Sequence, residues 1–200
     1  PIDRINDVKQ SKKADIQSTS GFRTHLLLYN HESNKMNKNV REALDMIINR
    51  KEIAQNVSKN YAKPAAGPFN HRLKSLEKEQ VQPQNIDKAK KLLAKECYTQ
   101  SNPLKLKMST YNGRPELPKI GQVIQSEAKK ANIDIQLHNV DDIDGYLKDT
   151  KAWDISMYSY LSIPRGDTGY FFNTAYLSDG ALNKGHYNNK DVTQLIKKLN

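Results

Sequence analysis

The chain has 200 residues, and its 32 Lys and Arg against 22 Asp and Glu leave a formal charge of +10 at pH 7. Hydrophobic residues make up 36%, enough Leu, Ile, Val and aromatic side chains for one core, so general disorder is excluded. The single cysteine, Cys97, excludes a disulfide framework, and no apolar run approaches the ~18–20 residues of a membrane span.

In chain order, Gly21 to Asn30 is the first segment with strand character, and its apolar run Leu26–Tyr29 predicts burial on both faces. From Asn39, the spacing of Val40, Leu44, Ile47 and Ile48 predicts a helix that restarts near Lys51 and turns Ile53 and Val57 inward. Pro64, Gly67 and Pro68 then break the chain, and residues 69–84 read as a polar, extended excursion. Asn85 or Asp87 caps a helix with Ala89, Leu92 and Leu93 inward, and Cys97 near its end reads as a small buried hydrophobe. Leu104, Leu106 and Met108 alternate with Lys105 and Lys107, which is a strand with one buried face. Pro115 and Pro118 fit the first turn of a helix whose inner face is Leu117, Ile120, Val123, Ile124 and Ala128. Ile133, Ile135 and Leu137 alternate again as a strand, and Asp141 or Asp142 caps a short helix through Ile143, Tyr146 and Leu147. Trp153 to Met157 makes another strand, and Asp191 starts a last helix with Val192, Leu195, Ile196 and Leu199.

Strand, helix, strand, helix, strand is a βαβαβ pattern, so the expected class is α/β with an open sheet and right-handed crossovers. Ligands of such sheets collect beyond the carboxyl ends of the strands. Three loops follow those ends, at Thr110–Arg114, His138–Asp142 and Tyr158–Asp167, which makes Asn112 and His138 candidates for the site. The segment 153–187 is the richest in chemistry, with Trp153, Tyr158, Tyr160, Tyr170, Phe171, Phe172, Tyr176 and Tyr187 around Arg165, Gly166 and Asp167. Arg offers a planar fork for carboxylates, Asp accepts from an ammonium, and Tyr presents an apolar face with a polar tip. Together they suit a zwitterionic, amino-acid-like ligand. The plainer alternative is an Arg165–Asp167 pair in a surface turn over core aromatics.

Other chemistries have less support. His25, His31, His71, His138 and His186 form no i, i+4 pair and have no cysteine partner, so direct metal ligation falls at most to His186. There is no nucleophile elbow, phosphate loop or dinucleotide fingerprint, so a binding role rather than an enzyme is expected. The positive charge is mostly Lys beside apolar periodic positions, as at Lys88, Lys90, Lys91, Lys129, Lys130, Lys197 and Lys198, which reads as solvated helix faces. A nucleic-acid-binding module would rest on that charge alone, since no recognition motif accompanies it.

Several segments, in order, resemble the peptide- and nickel-type solute-binding proteins of ABC importers. They are Leu28 to Asn30, Asn39 to Ile53, Pro64 to Pro68, Asp87 to Leu93, Ile124 to Ile135, Trp153 to Ser156 and Tyr187 to Val192. The resemblance implies one lobe of a two-lobed, type II periplasmic-binding-protein-like fold: an open mixed sheet with a βαβαβ core, in which 1–20 and 69–84 are peripheral. It implies that residues 1–200 are a second-lobe fragment of a longer protein, with any lipid anchor and the other lobe outside it. It implies an extracytoplasmic setting, as a cell-surface lipoprotein or in the periplasm, an importer permease as partner, and no cofactor. In peptide-binding members an Asp-Pro holds the ligand's α-amino group; Asp167 matches it, with Thr168 in place of the proline. In nickel-binding members an aromatic after a serine lines the chelate pocket, and Tyr160 after Ser159 matches that position. Arg165 has no general counterpart, and a cation there suits a carboxylate-rich ligand. The expected solute is therefore a Ni(II) or related metal chelate, with an oligopeptide as the alternative. The ligand-binding residues expected are Tyr158, Tyr160, Arg165, Gly166, Asp167, Tyr170, Asn112 and His138.

Overall fold

A computed structural model describes residues 2–11, 13–69 and 79–199, without the side chain of Arg165. Most of the expected 69–84 excursion, His71 included, lies outside the described residues. Four strands, β1 (Arg23–Tyr29), β2 (Leu104–Tyr111), β3 (Ile133–Val140) and β4 (Ile155–Leu161), form one open sheet in the order β1-β4-β2-β3. The pairs β2–β3 and β2–β4 are parallel, whereas β1 runs antiparallel to β4 at the edge. The sheet is therefore mixed, with the expected βαβαβ unit inside it.

The helices are α1 (Ile5–Ser11), α2 (Lys38–Ile47), α3 (Arg50–Glu52), α4 (Ile86–Lys95), α5 (Glu116–Lys130), α6 (Ile143–Tyr146), α7 (Thr168–Ala175) and α8 (Lys190–Lys197). Several start where a short polar side chain takes an orphan amide of the first turn. Asn37 Oδ1 accepts from Val40 N at 3.0 Å, Asn85 Oδ1 from Lys88 N at 2.9 Å and Asn189 Oδ1 from Val192 N at 3.1 Å. Helix α2 stops because Ile48 is extended, and the chain restarts at α3 under an Asn49 cap and continues as a π turn through Ile53–Val57.

Period-two alternation sends side chains to two different cores. On one face, Leu104, Leu106, Met108, Ile133, Ile135, Ile155 and Met157 pack under α2, α4 and α5, which contribute Val40, Leu44, Ile47, Leu93, Leu117 and Ile124. Each such aliphatic side chain contributes on the order of 1.5–3 kcal/mol on burial. On the other face, Tyr158, Tyr160, Trp153 and Phe171 pack with Ile143 and Leu147. The edge strand β1 serves both, Leu27 and Tyr29 one side and Leu26 and Leu28 the other, but every one of them stays only half-buried because no strand among the described residues covers its outer edge.

Three local expectations change. Cys97 is exposed, not buried, because it takes the left-handed position just past α4 (φ 64°), which turns its side chain outward. Helix α8 buries Ile196, while Leu195 and Leu199 are exposed, so its apolar stripe is mostly without cover among the described residues. Helix α1 was not foreseen, since none of its residues is buried and it shows no core-facing stripe. The lysines of α4 and α5 at Lys88, Lys90, Lys91, Lys129 and Lys130 are exposed, as solvated faces require.

Candidate functional site

Because β2, β3 and β4 are parallel, their carboxyl ends at Tyr111, Val140 and Leu161 share one edge of the molecule. The antiparallel β1 brings its beginning to that same edge, with Arg23 opposite Leu161 and His25 opposite Ser159. Helix α5 starts there too, just after Arg114 and Pro115. Residues distant in sequence thereby meet in one hydrogen-bonded chain. Arg23 Nη1 donates to Ser159 Oγ and to Ser159 O, both at 3.3 Å. Ser159 Oγ lies 3.0 Å from His25 Nδ1, and His25 Nε2 lies 2.9 Å from Glu116 Oε1. With Glu116 accepting, Nε2 carries the proton and Nδ1 accepts from the Ser159 hydroxyl. The order resembles an acid–base relay, but Ser159 is only 7% exposed and its oxygen already accepts from Arg23, so the chain acts as a strut.

Burial holds the His25 imidazole below its ordinary 6.5, Glu116 pulls the other way, and Arg114 and Arg23 lower it further. A histidine whose folded value is depressed takes up its proton first in the unfolded chain. Its contribution to stability is whole above pH 6.5 and is lost as pH falls below it. We expect the melting temperature to fall between about pH 7 and pH 5, and His25→Gln to make that fall shallower. His31, also lowered by burial, adds to the same slope. Melts of both proteins across that range check this, and identical slopes would sink the assignment.

Next to the strut stands a row of rings. Tyr111 and Tyr158 are 5.9 Å apart between centroids, Tyr158 and Tyr160 5.0 Å, and Tyr160 and Phe171 5.8 Å. Tyr158 OH donates to Asp144 Oδ1 at 2.5 Å, and Lys184 Nζ pairs with the same oxygen at 3.3 Å. The bond from Tyr158 holds the Asp144 carboxyl below its usual value, while burial raises the Tyr158 phenol. Tyr160 OH donates to Leu182 O, and burial raises that phenol as well. Both tyrosines are nearly enclosed, at 8% and 3% exposure, so their hydroxyls serve the protein and their rings form a wall.

The other expected residues are spread around this edge. Gly166 has φ +83°, a left-handed turn that favours glycine and ends a short helical turn at Pro164–Gly166. Asp167 caps α7, accepting through Oδ1 from Gly169 N at 2.8 Å and Tyr170 N at 3.3 Å. The pairing of Asp167 with Arg165 lies outside the described residues, since the Arg165 side chain does. Tyr170 is exposed, Asn112 is exposed and accepts from Asn139 Nδ2 at 2.9 Å, and His138 is half-buried on the edge strand β3. His186 belongs to a different surface, with Nδ1 3.6 Å from Glu32 Oε1. No group of three or more His, Cys, Asp or Glu is arranged to hold a metal among the described residues. Two shallow depressions of about 320 and 340 Å³ lie at the opposite end, one beside Ile133 and Lys129, the other beside Tyr29 and Asp45. Sequence reasoning missed Arg23, His25, Tyr111, Glu116 and Ser159 as a group, although Tyr111, Arg114 and Ser159 fell within expected loops.

Comparison with known proteins gives this geometry a family. The nickel-binding protein NikA of Staphylococcus aureus is 56% identical over 200 residues, which is 100% of this chain and 41% of the relative. A crystal structure of that protein in complex with Ni(L-His)2 superposes with a TM-score of 0.95, covering 100% of this chain and 43% of the other. A nickel ABC transporter protein from Bacillus halodurans matches at a TM-score of 0.87 and 31% identity, over 98% of this chain and 43% of that one. The dipeptide-binding protein DppE of Bacillus subtilis is 29% identical over 171 residues, 80% of this chain and 31% of the relative. The chain thus spans less than half the length of the relatives it matches. Residues 1–183 match the family described as bacterial extracellular solute-binding proteins, family 5 Middle, and the chain belongs to that family.

Proposed function

We propose that the chain is one lobe, 1–200, of an extracytoplasmic solute-binding protein that delivers a nickel chelate to the permease of an ABC importer. The observation that carries this reading is the 56% identity, along the whole of this chain, to a protein solved with Ni(L-His)2. The solute rests against the strand-end edge. Tyr158 and Tyr160 form the aromatic wall behind it, and Asn112, His138, Tyr170 and the Arg165–Gly166–Asp167 turn form the rim. The chelator supplies most of the metal's ligands, and the protein reads the chelator's charges and faces. Closure of a second lobe completes the contacts, so the solute shifts the population towards the closed form. The family description places such proteins outside the cytoplasm, and anchoring by a lipid is part of this proposal. Similarity to DppE favours a peptide as the second reading.

Calorimetry on the full-length protein tests the proposal, with nickel titrated in the presence of L-histidine and, separately, a metal-free dipeptide. We expect micromolar or tighter binding of nickel–histidine, and binding by these 200 residues alone to be weaker by about a hundredfold or more, because half of the enclosure is missing. A full-length protein that takes the dipeptide and ignores nickel–histidine overturns the nickel reading. Equal affinity in the isolated chain overturns the shared pocket.

A further inference from the structure

We propose that Asp144 is a positioning residue for solute binding: it fixes the ring of Tyr158 in the aromatic wall and thereby sets affinity without touching the solute itself. This deepens the functional reading above and rests on its placement of the solute against that wall.

The two wall hydroxyls end on different kinds of acceptor. Alternation along β4 puts Tyr158 and Tyr160 on one face, with ring centroids 5.0 Å apart. The Tyr160 hydroxyl ends on a backbone carbonyl, Leu182 O. The Tyr158 hydroxyl ends on a side chain, donating to Asp144 Oδ1 at 2.5 Å. Lys184 Nζ reaches that same oxygen at 3.3 Å, just beyond Leu182 in the chain. The short stretch 182–184 therefore anchors both rings, and Asp144 is the joint between it and Tyr158. A tie to a backbone carbonyl survives a side-chain substitution at the acceptor. Asp144 is thus the point at which the sequence can adjust the wall.

Asp144 is firmly seated yet buries little of itself. Helix α6 is capped by Asp142 Oδ1, which accepts from Gly145 N at 3.0 Å. Ile143 and Leu147 are buried on either side of Asp144 in the chain, and Trp153 Nε1 donates to Leu147 O at 3.1 Å. The Asp144 side chain, by contrast, is 57% exposed. Its removal opens no internal cavity, and an ion pair so exposed adds little to stability. Tyr158 is nearly enclosed, and a buried hydroxyl that loses its acceptor turns to find another. Turning that ring disturbs a row, since Tyr111 lies 5.9 Å away on one side and Tyr160 on the other. The effect of Asp144 on binding therefore runs through Tyr158.

Calorimetry of nickel plus L-histidine on the full-length protein tests this. We expect Asp144→Ala to weaken binding by about tenfold. Asp144→Asn, which keeps an acceptor oxygen for the phenol, should stay within about threefold of wild type. Tyr158→Phe should weaken binding by about fivefold, as a ring freed from its tether. On the Tyr158→Phe background, Asp144→Ala should add less than about twofold, because a residue acting through another has nothing left to hold. Melting temperatures within about 3 °C of wild type separate these effects from folding. Should Asp144→Ala unfold, Asp144→Asn and Tyr158→Phe decide the matter, and wild-type affinity in Tyr158→Phe overturns the proposal. Wild-type affinity in Asp144→Ala, or losses that add in full, overturn it too. So do equal losses in Asp144→Asn and Asp144→Ala, because the solute would then be reading the carboxylate's charge directly. All of these outcomes leave the nickel reading standing. A wild type that ignores nickel–histidine and takes a metal-free dipeptide overturns the nickel reading instead, and the same variants are then judged on the dipeptide by the same expectations.

Discussion

Asn30→Asp is expected to lower the melting temperature by about 10 °C or more, from a stability cost of about 3–5 kcal/mol. Asn30 is fully buried at the end of β1, and its side-chain amide donates to Thr150 O at 2.7 Å and to Trp153 O at 2.8 Å. Its Oδ1 accepts from Glu32 N at 3.1 Å, and its own amide donates to Asp154 O at 2.9 Å. One side chain thus joins the end of β1 to the segment that enters β4. Aspartate has the same shape but would point an anion at the carbonyl oxygens of Thr150 and Trp153. Its buried charge is what makes the cost large, so acidification, which neutralises the new carboxyl, should narrow the gap to wild type. Thermal unfolding of both proteins at neutral and acidic pH measures this. A loss of only a few degrees would show that the amide donors are dispensable.

Gly185→Ala should come next in size, at about 3 kcal/mol, the upper part of the range for overpacking a tight contact. The reason is space: a β-carbon on Gly185 would land on the carbonyl oxygen of Tyr29, which is backbone and has nowhere to go. That approach also carries a bond, His31 N to Gly185 O at 2.8 Å, and holds Tyr187 against His31 with ring centroids 5.2 Å apart. Displacing Gly185 therefore loosens the return segment whose Tyr187 packs edge-on against Tyr176. Near-ultraviolet circular dichroism, which reads ordered aromatics, should weaken along with the melting temperature. An unchanged aromatic signal would mean that the segment re-seats without strain.

Much of the fold is written in local patterns. The alternation at Leu104–Met108 and Ile133–Leu137 sets which residues face the aliphatic core, and Asn85 caps α4 as expected, whereas α2 and α8 are capped by Asn37 and Asn189, two residues before the expected starts at Asn39 and Asp191. Pairing is less legible. Leu26–Tyr29 reads as a strand with two apolar faces, which is correct, but nothing in those four residues says that β1 lies antiparallel at an edge. That orientation decides the site. His25, read alone, is one of five scattered histidines. Only the register of β1 on β4 places it on Ser159, and only the start of α5 supplies Glu116. Cys97 fails for the opposite reason, since its exposure follows from a single left-handed backbone angle that hydrophobicity does not encode. The loops after the strands were legible as a location because parallel βα units place their carboxyl ends together.

The hydroxyl bonds from Tyr158 to Asp144 and from Tyr160 to Leu182 have a thermodynamic consequence. Side chains that are locked before a solute arrives lose little rotational freedom when it does, whereas a loose aromatic surrenders about 0.5–1.5 kcal/mol on immobilisation. The wall behind the proposed site therefore makes nearly the same entropic contribution for every solute. Discrimination among solutes is left to the charged and polar groups at its border.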